Sequence, residues 1–187
     1  MGEFLHAHAI NRIMESISAD RRRWTIDRIL FEHLYRQYYK PLFLYAYSLS
    51  HSKADAEDLT ANTFVKALTT FQSGNIQAWL YTVLRNEFLD FQKKKKRAVN
   101  FSDKMADMIP SQEDVWENYL RNKQLQWLYS QISQLPGLER DVMLLTVQTD
   151  YKDSKIAEIL GITPDHVRVL RHRAKTRMLN ASKEEQS

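Results

Sequence analysis

Residues 153–179 read DSKIAEILGITPDHVRVLRHRAKTRML, two short helical patterns that meet at a single glycine. In the first, Ile156, Ala157, Ile159 and Leu160 form an apolar stripe at helical spacing. Gly161 stands where the chain must reverse without a Cβ penalty, and Ile162 is placed to plug the turn. Thr163 supplies an N-cap hydroxyl, Pro164 takes the first helical position, where a missing N–H costs nothing, and Asp165 faces the positive end of the new dipole. Val167, Leu170, Ala174 and Met178 then recur on one face. The opposite face carries Arg168, Arg171, Arg173, Lys175 and Arg177 with His166 and His172, against the one acid Asp165. A helix-turn-helix with an apolar back and an arginine-rich front suits the major groove, where base edges differ in hydrogen-bond pattern and cations also hold phosphates.

The whole chain has 187 residues, enough for one large or two small domains, and its net charge of +4 is modest, so the placement of charge matters more than its sum. It contains no cysteine, which removes disulfides, thiolate metal sites and cysteine nucleophiles and suits a reducing cytoplasm. No apolar run reaches the length of a membrane span, and the N-terminus lacks a secretory pattern. Four glycines, four prolines and no alternating β-branched runs point to an all-α protein. His6 and His8 near the N-terminus do not make a metal site, and neither metal nor cofactor is expected.

Taken in order, residues 1–25 form an extension of unassigned role. Residues 26–97 make a first helical domain. Leu34, Tyr38, Leu42, Tyr45 and Leu49 keep a helical period, and Pro41 is expected to bend or break that helix. A second helix begins near Lys53, with Ala56, Leu59, Phe64, Ala67 and Leu68 inward and Asp55, Glu57 and Asp58 in its acidic first turns. Residues 71–75, FQSGN, read as a loop in which Asn75 caps a third helix spanning about 76–97. That helix buries Ile76, Leu80, Val83 and Leu84, and it presents Trp79, Asn86, Asp90 and Lys93 on another face with Arg85 and Gln92 alongside. It ends in KKKKR. Rings interleaved with polar and basic groups are what the capture of single-stranded DNA needs. Residues 98–114 lose periodicity and are acidic, a tether between two basic domains. A second domain, 115–187, opens with a helical pattern through Trp116, Leu120, Trp127 and Leu128, breaks at LPGLER, resumes with Val142, Leu144, Leu145 and Val147, and ends in the helix-turn-helix.

These motifs in this order resemble the bacterial extracytoplasmic-function (ECF) sigma factors of the sigma-70 family. The residues that carry the resemblance are Asp55-Ala56-Glu57-Asp58-Leu59 with Thr63-Phe64, Trp79-Leu80-Tyr81 with Arg85-Asn86 and Asp90, Leu135-Pro136 with Arg140, and Ile156 through Ile162 with Val167 and Arg173-Ala174. It covers residues 28–179. The resemblance implies core RNA polymerase and promoter DNA as partners, an anti-sigma factor as a regulator, and no catalytic residues. It places polymerase contacts on Asp55, Glu57, Asp58, Leu59, Asn62 and Phe64. It places minus-ten melting on Phe71, Gln72, Ser73, Asn75, Trp79, Arg85, Asn86, Asp90 and Lys93. Minus-thirty-five readout falls to Thr163, Asp165, His166, Arg168, Val169, Arg171, His172 and Lys175. The recognition helix departs from the family's common pattern at residues 166–171, so its base contacts are its own. Ala61 and Asn62 stand where the family often has Gln and Glu.

The competing reading is a stand-alone helix-turn-helix repressor or activator, which gives the lysine-rich end of the third helix and the acidic tether no role. A nucleic-acid enzyme is disfavoured by the absence of HxE with CxxC motifs, of a Walker loop and of a Gly-rich nucleotide loop.

Overall fold

The computed structural model describes residues 28–99, Leu120 and residues 122–184. Among the described residues there are seven helices and no strand: α1 Arg28–Ser50, α2 Lys53–Thr70, α3 Ile76–Val99, α4 Lys123–Ser133, α5 Gly137–Gln148, α6 Asp153–Leu160 and α7 Pro164–Glu184. The extension at residues 1–25 and the tether from residue 100 onward lie outside the described residues, as do Val115 and Trp116.

The first three helices pack on one another. Helix α1 does not break at Pro41. Tyr35, Tyr39, Phe43 and Tyr47 recur every fourth residue and form a stack with ring centroids 4.9, 6.2 and 6.2 Å apart. That spacing matches the ~6 Å rise of four helical residues, so ring packing on both sides of the proline holds the helix continuous despite one missing hydrogen bond. Phe64 of α2 closes on the stack, its ring 4.8 Å from that of Tyr35 and edge-on to Phe31. Every residue from 42 to 49 is buried. A helix apolar all round needs neighbours all round, and α1 has them: α2 and α3 on one side, α4 on another.

Ser52 caps α2 by accepting from Asp55 N at 3.3 Å. Asn75 caps α3 by accepting from Ala78 N at 2.9 Å, as the sequence predicts. In α3 the buried set is Ala78, Leu80, Tyr81, Leu84 and Phe88; Ile76 and Val83, expected inside, are half-buried.

In the second helical group α4 begins at Lys123 behind an Asn122 cap, and Trp116, the start of the pattern read there, lies outside the described residues. Leu120 is buried, and Trp127 is 43% exposed. The helix-turn-helix forms as read. Gly161 adopts φ 66°, in the left-handed region. Ile162 N donates to Ala157 O at 3.0 Å and Gly161 N to Glu158 O at 3.4 Å, the paired bonds that end a helix on a left-handed glycine. Thr163 Oγ1 then accepts from His166 N at 3.2 Å, opening α7. Val167, Leu170, Ala174 and Met178 are buried against α5 and α6.

Candidate nucleic-acid interface

With its apolar face fixed by those contacts, α7 turns Thr163, Asp165, His166, Arg168, Val169, His172, Arg173 and Lys175 to solvent. Arg168 pairs with Asp165 one turn back along the same face. This pair is exposed, so it costs little to exchange for phosphate or base contacts. Arg171, expected on the reading face, is not there. It is turned inward, where Nη2 lies 2.6 Å from Asp153 Oδ1 and Nε donates to Thr146 Oγ1 at 3.2 Å. It staples α7 to the start of α6 and to α5. Arg177 pairs with the buried Glu139 carboxylate at 2.9 Å while its own side chain stays 61% exposed. Arg171 is thus withdrawn from the front of α7, while Arg168, Arg173, Lys175 and Arg177 remain exposed.

The second basic surface is on α3 and the loop before it. Gln72, Ser73, Asn75, Asn86, Asp90 and Lys93 are exposed, followed by Lys94, Lys95 and Arg97. Lys93 donates to Asp90 at 3.0 Å and holds that carboxyl below the usual carboxylate range. Trp79 is half-buried and meets Phe71 edge to face, centroids 5.5 Å apart, so helix and loop share an aromatic corner. A half-covered ring with cations along the same helix offers a base a stacking surface and its backbone a counter-charge.

On α2, Glu57, Asp58 and Asn62 are exposed and Asp55 is half-exposed. Leu59 and Phe64, placed on that face by the resemblance, are instead 5% and 1% exposed. Their side chains belong to the core, where Phe64 packs on Phe31 and Tyr35, and they shape the acidic face from beneath.

Two family regions match the chain in the expected order: Sigma-70 region 2 over residues 34–98 and Sigma-70, region 4 over residues 125–178. The chain is 30% identical over 164 residues to the RNA polymerase sigma factor YlaC of Bacillus subtilis, spanning 83% of this chain and 95% of that protein. It belongs to the ECF sigma factors. A second relative, the ECF RNA polymerase sigma factor SigM of Bacillus subtilis, is 26% identical across 82% of this chain and 93% of its own length. The sigma factor RpoE of Bartonella quintana, solved in complex with the anti-sigma factor NepR, superposes with a TM-score of 0.63 at 25% identity over 82% of this chain and 96% of that one.

In this sigma factor one cluster escaped the sequence entirely. Asp141 on α5 is buried and faces the first domain, where Tyr45 OH donates to its Oδ1 at 3.2 Å and Arg85 Nε to its Oδ2 at 3.1 Å. Burial raises the Asp141 carboxyl above the usual carboxylate range, with Arg85 and Arg140 pulling the other way. Burial, and then the neighbouring Asp141, raise the Tyr45 phenol. Beside it, Arg140 Nη1 lies 3.1 Å from His51 Nε2. An arginine only donates, so His51 accepts, and burial and Arg140 together lower its pKa. Further along, Tyr81 OH donates to Gln148 Oε1 at 3.1 Å, and Gln148 Nε2 to Tyr129 OH at 3.1 Å. The Tyr151 hydroxyl sits 2.9 Å from both Asn75 Oδ1 and Gln77 Oε1. No local pattern marks Asp141, because an acid inside an otherwise amphipathic helix reads as solvent-facing.

Proposed function

We propose that this ECF sigma factor acts as an alternative sigma factor in the cytoplasm, binding core RNA polymerase and directing it to a specific set of promoters. The observation that carries this reading is the pairing of two DNA-suited surfaces of different kinds on two family regions in their proper order. Helix α7 presents exposed Arg168, Arg173 and Lys175 on a capped recognition helix, suited to the minus-thirty-five duplex. Its base-reading set is Thr163, Asp165, His166, Arg168, Val169, His172 and Lys175, with Arg171 positioning the helix. Helix α3 and the 71–75 loop offer Trp79 with Phe71, Asn86 and Lys93, suited to an opened minus-ten strand. The acidic α2 face of Asp55, Glu57, Asp58 and Asn62 is the polymerase contact, and exposed Leu125, Trp127 and Val147 give the second domain an apolar surface for the same partner. An anti-sigma protein that covers these faces is the expected regulator.

Run-off transcription tests this directly. Purified bacterial core polymerase is supplied with a library of promoter-like DNA, with and without the chain. Transcripts with defined starts are expected only when both are present. Tight duplex binding by the chain alone, with core initiation unchanged, would refute the reading in favour of a stand-alone repressor or activator.

A further inference from the structure

Between Asp165 and Arg177 every exposed side chain of α7 is charged, hydroxylated or an imidazole, with one exception: Val169, which is 46% exposed. At about 100° per residue, Val169 stands roughly 145° round the helix from the mean direction of Val167, Leu170, Ala174 and Met178, the residues that α7 buries. It therefore lies near the middle of the front, with exposed Asp165, His166, His172 and Arg173 one turn away on either side. Arg171 holds that aspect, because its bonds to Asp153 and Thr146 resist rotation of α7 about its own axis. Val169 is also the sixth residue of the helix, within the N-terminal half that meets base edges in a helix-turn-helix. We infer that Val169 is a specificity-determining residue whose methyl groups read the 5-methyl group of a thymine in the minus-thirty-five element. The inference rests on the minus-thirty-five role proposed for α7.

The chemistry of the side chain selects the base. Valine neither donates nor accepts a hydrogen bond, so a base edge pressed against it must offer an apolar group. In the major groove only thymine does. Adenine and guanine show N7 beside an amino group or a carbonyl, and cytosine shows an amino group; each would lose water against Val169 and gain no partner. The exposed cations on either side, Arg168 and Arg173, have phosphates and guanine edges as their partners, which leaves the middle of the front to an apolar contact. A β-branched side chain keeps essentially one rotamer in a helix, so the methyl groups are in place before DNA arrives and little freedom is lost on binding. For the free chain the residue is a poor choice: valine is a weaker helix former than alanine, lysine or arginine, and here nearly half of it stays in water. Leu179 is exposed as well, but it lies ten residues further on, about 15 Å along the axis, too far to share the same base pairs.

The test uses the full chain bound to bacterial core polymerase, on a promoter recovered by the run-off selection. Each thymine of the minus-thirty-five element is replaced in turn by deoxyuridine, which removes the 5-methyl group and keeps the base pair. Equilibrium binding of the duplex promoter is expected to weaken about fourfold at one position, the effect of burying a single methyl group. At that same position 5-methylcytosine should bind about fourfold more tightly than cytosine. Val169→Ala shortens the side chain at an exposed site where alanine is the better helix former, so the fold is retained. It should bind the thymine and uracil promoters alike. A selected element without thymine, uracil tolerated at every thymine, or a uracil penalty that Val169→Ala leaves at full size would each overturn the inference. A chain that selects no promoter with core polymerase fails the sigma reading and takes the inference with it, whereas a promoter whose minus-thirty-five element ignores the methyl group fails the inference alone.

Discussion

Arg168 and Arg171 lie three residues apart on the same helix in opposite surroundings, one exposed and one turned inward. Arg171→Ala removes a guanidinium that is 20% exposed and bridges Asp153 at 2.6 Å and Thr146 at 3.2 Å. A hydrogen bond to a charged partner contributes about 1.5–3 kcal/mol and a neutral one about 0.5–1.5 kcal/mol. Partial exposure and the remaining stabilisation of Asp153 at the α6 N-terminus reduce the sum. The expected loss is about 2 kcal/mol, which in a domain of this size lowers the midpoint of thermal unfolding by roughly 10 °C. Arg168 is 62% exposed and pairs only along its own helix. Arg168→Ala should leave the midpoint within about 2 °C, because a surface pair contributes little. Binding to the selected minus-thirty-five duplex should reverse the order. Arg168→Ala loses roughly tenfold, as a base contact of about 1–3 kcal/mol implies, and Arg171→Ala loses less than about threefold where it is folded. Circular dichroism melts and duplex titrations at two salt concentrations measure both. An Arg171→Ala protein with the wild-type midpoint and a large, sequence-specific loss of binding would refute the inward assignment.

Phe64→Ala should cost about 3–5 kcal/mol, since the ring is 1% exposed among Phe31 and Tyr35; denaturant unfolding checks it, and a loss of polymerase binding with unchanged stability would restore Phe64 to the contact face. Gly161→Ala meets no atom within 4 Å, so its cost of about 1–2 kcal/mol is backbone alone, at φ 66°; a thermal midpoint equal to wild type would contradict it. The pH dependence of the urea midpoint should carry a His51 component. Its pKa is lowered on folding, so the unfolded chain binds the proton more readily, and stability is held above about pH 6.5 and declines as pH falls below it. His51→Asn, which tolerates the positive φ of 55°, should flatten that decline between about pH 5 and 7. Asp141 acts with the opposite sign. Its raised pKa adds stability at acid pH that is lost as pH rises through the folded value, so Asp141→Asn should remove that loss and flatten the pH dependence on the acid side of neutrality.

What could be read from the sequence was whatever is decided within a few residues. Gly161, Thr163 and Pro164 each meet a local backbone requirement, and the four-residue core register of α7 follows from helical geometry, so the helix-turn-helix appeared with its start and turn in place, although α7 runs on past Leu179 to Glu184. Asn75 was legible as a cap for the same reason. What depends on distant chain was not. Arg171 looked outward until Asp153 and Thr146 were folded beside it. Asp141 meets Tyr45 across 96 residues of sequence and Arg85 across 56, and nothing near it announces either. The helical pattern through Trp127 does not say which of its residues face inward: Trp127 is 43% exposed, and the core of its group is filled by Tyr129, Ile132 and Leu145. Leu59 and Phe64 come from a family motif, and such a motif mixes residues that make a surface with residues, like these two buried ones, that hold it in place.

The stack from Tyr35 through Tyr47 also sets what kinds of change α1 can absorb. Its outer positions can exchange one side chain for another at small cost. Its length cannot change, because one inserted or deleted residue turns everything beyond it by about 100°. An insertion at Pro41 would leave Tyr35 and Tyr39 in place while swinging Phe43 and Tyr47 off Phe64's side of the core, and it would carry Tyr45 away from Asp141 in the same motion. Mutational scanning of this chain should therefore find α1 permissive to substitution at exposed sites such as Gln37 and Lys40, and intolerant of single-codon insertions along its whole middle.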